Sequence, residues 1–448
     1  MNDLRRKISM VIVAVMVLLL IGGCASTTPP AASAAPAASG APAASDAPDT
    51  SDAPPADATE DKGTIKIGFL TALSGNFAAL GTDSMDSFKM YLEQHDNKLG
   101  GFNVEVVYED DGTDPNTAYT KAQKLVNMDG AHILVGPSNT PTANAVISFI
   151  DDVGIPLYMA TSGGDDIQGP NRSPYSIRQN FTSSQCMHPL GEYVANEMGL
   201  KTAAVLSYDM AFGYEVVGGF QKVFEENGGK VIYKVYVPQP TQDFSPYLMQ
   251  LPMDDIDVFV YQVAGGDSLR IQKQLKEYGF IGKVPIVAGM MSTDESLLDQ
   301  FEPETEGFIT AMMYSRAAKN AANEKLNADF EAYTGRGASL YTAQLWTAAM
   351  VLDQALTNLT FEDVSDGLKV IDAINDVSLD NVPVGSISFD EYNQGIIDVN
   401  IRKVEMVNGV LQNTVVKTVP AVRQDWKWGL DAFFAQPYTK DYPATSSK

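Results

Sequence analysis

Short apolar runs alternate along the chain with segments whose apolar positions recur every three or four residues. Ile65 to Leu70 reads as a strand, and Met85, Phe88, Tyr91 and Leu92 mark one face of a helix behind it. Val104 to Tyr108 is the next strand. Pro115 opens a helix at its favoured first turn, and Gly130 follows its end. A strand at His132 to Val135, a helix to about Val153 and a strand at Pro156 to Met159 continue the series. Strand and helix in alternation imply βαβ units and a parallel sheet.

The pattern then restarts. A helix from Gln185 to Met198 leads to a strand at Ala203 to Leu206, and a helix from Tyr214 to Asn227 ends at Gly228-Gly229. Strands follow at Val231 to Val237, Val258 to Tyr261 and Pro285 to Ala288, with a helix from Leu269 to Tyr278 between the last two. The fold class is α/β, with two Rossmann-like lobes in tandem. Late in the chain, Leu345, Ala348, Ala349, Leu352, Ala355, Leu356 and Leu359 keep helical spacing, and Val364 to Ile374 is a shorter helix. Ile401 to Val407, an Asn408-Gly409 turn and Val410 to Val419 read as a hairpin before an aromatic tail with Trp426 and Trp428.

The N-terminus has a different pattern. Arg5, Arg6 and Lys7 precede an apolar run from Met10 to Ile21, the form of a signal peptide over residues 1–23. Leu20-Ile21-Gly22-Gly23-Cys24 resembles the bacterial lipobox, which implies cleavage before Cys24 and its lipidation. Residues 25–63 hold 14 Ala, 7 Pro, 5 Ser and 4 Thr, and no Val, Ile, Leu, Met or aromatic residue. Such a segment builds no core, so 24–63 is expected to be a disordered, lipid-anchored tether reaching at most about 120 Å.

Lys plus Arg number 31 against 56 Asp plus Glu, a net charge of −25 in 448 residues. That balance excludes nucleic acid as a partner, since phosphate binding needs clustered cations. Two cysteines, Cys24 and Cys186, and three histidines leave no disulfide framework and no multi-His/Cys metal site. Asp110 to Asp114 lacks calcium-loop spacing and reads as a turn and helix start. The chain carries no G-x-S-x-G, H-E-x-x-H, P-loop or early G-x-G-x-x-G motif, so it is not expected to be an enzyme or to hold a cofactor or metal.

Five segments in register resemble the leucine/isoleucine/valine-type solute-binding proteins of ABC transporters. They are Ile65 to Gly75, Asp110 to Pro115, Val135-Gly136-Pro137-Ser138, Tyr208 to Gly213, and Gly385 to Asp390 followed by Val404 to Gly409. The resemblance implies the type I periplasmic binding fold, two lobes joined by a three-segment hinge. The first lobe would hold residues 64–180 and 315–384, the second residues 181–314 and 385–448. It also implies a monomer that takes a small molecule between closing lobes. An extracytoplasmic, lipid-anchored protein would deliver that ligand to an ABC permease, or report it to a sensor protein.

Parallel strands aim their C-terminal ends at one crevice. In the first lobe that places Ser74 and Phe77, then Ser138, Asn139 and Thr140, then Thr161, Ser162 and Gly163 at the cleft. In the second it places Tyr208 and Phe212, then Ala264 and Gly265, then Met290. Hydroxyls and helix-start N–H groups in the first set suit a carboxylate, although Ser138, Asn139 and Thr140 could also simply cap their helix. In amino-acid binders of the family, an acidic residue after the strand corresponding to Pro285–Ala288 pairs the α-ammonium. Met290, beside Met291, stands at that place here, with Asp267 and Asp294 as substitutes. A branched-chain or other hydrophobic amino acid is the expected ligand, with an aromatic or organic acid or an amide as the competitor. Asp209 is expected to cap its helix and brace its loop, His132 to pack within its strand, Cys186 to be buried, and Trp426 and Trp428 to pack the tail onto a lobe.

Overall fold

The computed structural model describes residues 62–443. The expected signal peptide, Cys24 and almost all of the tether lie outside those residues.

The first sheet is built from β1 (Thr64–Thr71), β2 (Lys98–Leu99), β3 (Phe102–Asp110), β4 (Ile133–Val135), β5 (Leu157–Met159) and β6 (Ser176–Arg178), in the order β2-β3-β1-β4-β5-β6. All pairs in it are parallel except the short β2–β3 pair. The intervening helices are α1 (Ala78–Gln94), α2 (Pro115–Asn127) and α3 (Thr140–Val153). Local chemistry sets where they start. Asp114 accepts the Thr117 N–H at 2.8 Å at the head of α2, with Pro115 in the first turn. Asn139 and Thr142 form a reciprocal capping box at the head of α3.

The second half holds α4 (Met187–Asn196), β7 (Thr202–Tyr208), α5 (Ala211–Glu226), β8 (Lys230–Val237), α6 (Ser245–Leu248), β9 (Val258–Tyr261), α7 (Gly266–Glu277), β10 (Ile286–Ala288) and β11 (Ile309–Met312). The chain continues through α8 (Ala321–Thr334), α9 (Leu340–Leu356), α10 (Phe361–Val364), α11 (Gly367–Asn375), β12 (Leu379–Val382), β13 (Gly385–Phe389), β14 (Gly395–Val407), β15 (Val410–Val422) and α12 (Leu430–Phe434). The second sheet runs β12-β13-β14-β11-β10-β9-β7-β8, with β15 on β14. It is parallel from β8 to β11 and antiparallel beyond, where short turns join β12, β13, β14 and β15 in succession. One is the Asn408-Gly409 turn, where both residues have positive φ (53° and 83°).

Three stretches cross between the sheets: after β6, after β11, and after α11. The middle crossing returns the chain to the first sheet, where α9 lies on α1. Ser87 donates to the Thr342 carbonyl at 2.6 Å, and Asp353 accepts from Gly100 N–H at 2.6 Å and Tyr91 at 3.1 Å. Strand β12 precedes the lobe boundary expected at residue 384, yet it hydrogen-bonds to β13 in the second sheet. His132 stands one residue ahead of β4 rather than inside it, half-buried, and its Nδ1 accepts the Lys66 N–H.

One apolar core runs from Phe88, Tyr91, Phe102 and Trp346 through Cys186 and Tyr314 to Phe220 and Phe224. Smaller cores cover the outer faces of the first sheet, around Leu134 and Phe149, and of the second, around Phe259 and Ile271. Two glycines let a helix press on the loop that feeds it. A Cβ on Gly81 would stand 1.8 Å from the Ala72 carbonyl oxygen, and one on Gly213 would stand 2.0 Å from that of Tyr208. The same device therefore sits at the crevice edge of both sheets.

Candidate binding cleft between the sheets

At the C-terminal ends of the strands a cavity of about 310 Å³ opens, lined from both halves. The first half contributes Phe77, Thr113, Ser138, Asn139, Thr140, Pro141, Thr161 and Gly163, with Tyr341 from the first turn of α9. The second contributes Tyr208, Met210, Phe212, Gln239, Ala264 and Met291, and Phe181 comes from the first crossing. Nine of the residues named from sequence are among these. The other four are not. Ser74 is exposed beside Asp110, Ser162 is buried behind the wall, and Gly265 caps α7 with φ of 59°. Met290 is fully buried in the core, where its carbonyl accepts from Arg402, and the next residue, Met291, faces the cavity in its place.

None of the sixteen lining residues is Asp, Glu, Lys, Arg or His. The nearest acidic candidates are engaged elsewhere. Asp267 is 2% exposed and ion-paired to Arg270, and it accepts from the Tyr208 hydroxyl at 2.9 Å. Tyr208 also accepts the Ala264 N–H at 2.9 Å, so its hydroxyl faces the protein and its ring faces the cavity. Burial above all pushes that phenol well above its ordinary value. Asp294 is buried beside Ser296, and burial, helped by Glu295, pushes it up to about 6. Asp209 caps nothing, because α5 is headed by Met210. Its carboxylate braces the loop by accepting from Tyr214 and from Lys440 at 2.7 Å, which holds it below the usual range.

The first-lobe wall is pre-set by a carboxylate outside the cavity. Asp111, fully buried, accepts the Ser138 N–H and the Ser138 hydroxyl, each at 2.8 Å, and the Thr113 N–H at 2.9 Å. The donors of Ser138 are therefore engaged. Thr161 donates to the Pro137 carbonyl at 2.9 Å, and Thr140 accepts the Gly164 N–H at 2.9 Å while keeping its own hydroxyl hydrogen. The donor side thus centres on Thr140 at the head of α3, where the helix dipole also favours an anion. Across the cleft, Tyr341 reaches Met291 Sδ at 3.7 Å. Sequence reading missed Thr113, Pro141 and Met210, which sit beside residues it named or in a turn it read as structural, and Tyr341, Phe181 and Gln239, which follow no strand it had taken as cleft-forming. Among the described residues no cluster of His, Cys, Asp and Glu is arranged to hold a metal, and no helix is long and apolar enough to cross a membrane.

Two mostly parallel α/β sheets with a cleft at their strand ends and three crossings define a two-lobed binding protein. The chain belongs to the periplasmic binding protein family, whose model matches residues 64–409. It is 28% identical over 279 residues to Leu/Ile/Val-binding protein homolog 6 of Brucella melitensis, covering 62% of this chain and 71% of that one. It also resembles a solute-binding protein of an ABC transporter from Rhodopseudomonas palustris BisB5 in complex with 3,4-dihydroxybenzoic acid. The TM-score is 0.75, with 27% identity and coverage of 81% of this chain and 98% of that one. A second such protein, from R. palustris HaA2 in complex with p-hydroxybenzoic acid, gives a TM-score of 0.75 and 26% identity, covering 83% and 100%. The chain is thus a solute-binding protein of the ABC-transporter class, from a family that works outside the cytoplasm.

Proposed function

We propose that the lobes close on a small carboxylate ligand with an apolar, aromatic or branched body and no ammonium group, and hand it to an ABC importer. The uncharged cavity wall carries this reading. An α-ammonium buried there would lack a counter-charge and pay several kcal/mol of desolvation. Five aromatic rings and two thioethers suit a flat apolar body, and Thr140 with the head of α3 suits a carboxylate. The related proteins with benzoate-type ligands support the same class. Cys24 anchors the protein to the outer face of the bacterial membrane through the Ala/Pro tether, and it acts as a monomer.

Calorimetry with benzoate, 4-hydroxybenzoate, benzamide, leucine and isoleucine tests this. The acids should bind near the micromolar range, about −8 kcal/mol, and the amino acids at least tenfold more weakly. Equal or tighter leucine binding would return the branched-chain amino acids to first place. Met291→Glu should improve leucine binding and weaken acid binding by more than tenfold, because it puts a carboxylate on the cavity wall.

A further inference from the structure

The family match ends at Gly409, but the chain runs on through β15 and then folds back. Residues 423–443 lie across both halves of the molecule. Gln424, fully buried, donates to Asp390 at 2.9 Å and to the Gln168 carbonyl, in the loop between β5 and β6, at 3.4 Å. Phe434 stacks on Tyr392 at 5.9 Å and presses on Gly169 of the same loop. On the second-lobe side, Trp428 donates to both carboxylate oxygens of Glu226 at 3.1 Å. The Tyr438 ring packs on Gly218 of α5, and its hydroxyl lies 3.2 Å from His188 Nε2. Lys440 ends the path on Asp209, next to the cavity residue Tyr208.

Beneath this segment two carboxyl groups meet from opposite halves. Asp165 comes from the β5–β6 loop and Glu215 from α5, one turn beyond Phe212. Glu215 lies against Asp165 and Ser183, whose hydroxyl donates to the Gly163 carbonyl at 2.9 Å. Asp165 Oδ1 accepts the Ser184 N–H at 3.0 Å. One oxygen of each, Asp165 Oδ2 and Glu215 Oε2, is buried without a hydrogen-bond partner.

We propose that residues 423–443 are a strap sealing a carboxyl pair, Asp165 and Glu215, that holds one proton at the seam between the lobes, so that lobe closure takes up a proton. Two buried carboxylates this close cannot both stay charged at low cost. The charges around them decide which one is neutralised. Asp165 faces the Arg178 guanidinium of β6, with Asp166 beside it and Tyr438 of the strap nearby; Asp390 also faces Arg178. Glu215 faces Asp165 and Asp166, and the Arg178 charge that both carboxyls share acts more strongly on Asp165 than on Glu215. His188 of α4, packed under Tyr438, is buried and neutral. The proton therefore comes from solvent to Glu215 Oε2, while the Ser184 N–H and the nearby Arg178 charge favour the ionised form of Asp165. Burial, and then Asp165, raise Glu215 well above the ordinary carboxylate range. In an opened molecule Glu215 is hydrated and ionises normally. The closed form thus binds more protons, and closure is favoured at low pH and lost as pH rises through the raised value.

The test needs no ligand. X-ray scattering of the full chain, from about pH 5 to about pH 9, should show a compact form that opens reversibly as pH rises, with far-UV circular dichroism unchanged. Glu215→Gln, an uncharged isostere, should stay compact throughout. Tyr438→Ala should admit water and move the opening midpoint down by about one pH unit or more. Identical wild-type scattering at both ends overturns the proposal. So does the same transition in Glu215→Gln, or opening accompanied by loss of secondary structure. Because no acid or amino acid is added, a failure of the proposed ligand class would leave this result untouched.

Discussion

Asp111 does the most for the cleft of any residue outside its lining. It gathers three donors from two loops, and all three hold the cavity wall at Ser138 and Thr113. Hydrogen bonds to a charged group are worth about 1.5–3 kcal/mol each, and a donor left unpaired in the interior costs more. Asp111→Asn removes the charge and puts an amide donor against the Ser138 donors. Urea denaturation should show a loss on the order of 3 kcal/mol, and calorimetry a weakening of any carboxylate ligand by at least tenfold. An unchanged midpoint and affinity would show that the loop holds itself. Residues of this kind were only partly legible in sequence. The D-D-x-x-D-P turn was recognised as a turn, but its second carboxylate reaches Ser138 through tertiary packing, which spacing does not encode. Met290 and Met291 show the opposite problem. Both follow the right strand, and a tight helical turn over Met290–Thr293 decides which side chain faces the cavity.

At the scale of elements, α9 gathers a hinge-side crossing and the cavity into one helix. Its sequence showed a single apolar stripe, yet fourteen of its residues are buried, because α1, α11 and the crossing surround it. Its start is what matters for the cleft, since Tyr341 stands in the first turn. Ser339 and Thr342 form a capping box there, and the Ser339 hydroxyl donates to Asp83 of α1 at 2.9 Å. Ser339→Ala should cost about 1 kcal/mol in urea unfolding, and more where Asp83 is left with Arg336 alone. It should also weaken ligand binding, because Tyr341 loses its fixed approach to Met291. If binding is unaffected, Tyr341 lines the wall without shaping it. Strand and helix order was legible because periodicity is local. Strands β2, β6, β11, β12 and β13 were missed because they are short and defined by their partners, and helix α8 because it buries only Leu326 and Phe330 among its large apolar side chains. The reach of the C-terminal segment across both halves was equally hidden: Trp426 and Trp428 announced packing, but only the folded chain brings His188, Gly218 and Gly169 to it.

For the whole molecule, two buried groups beneath the C-terminal segment bend the pH dependence of stability in opposite senses. His188 is fully buried among Trp426, Trp428, Phe433 and Tyr438, and burial pushes its imidazole down to about 3. In the unfolded chain it titrates near 6.5. Between those values the unfolded state binds more protons, so this group's stabilising share is complete above about pH 6.5 and is lost as pH falls. Glu215 acts oppositely. Its folded value is raised, so the folded state binds more protons above the ordinary carboxylate range, and stability falls as pH rises there. Together they place the optimum between the two limbs. Each fully expressed shift changes stability by about 1.4 kcal/mol per pH unit. Replacing His188 with an uncharged ring removes only the acid limb, so His188→Phe should flatten thermal stability below about pH 6.5 and leave the alkaline fall unchanged. Glu215→Gln should do the reverse. Melting temperatures of the full chain across that range check both. Were His188→Phe to flatten the alkaline limb as well, the two groups would be one coupled unit under the strap, and the aromatic cluster itself would be holding the Glu215 proton in place.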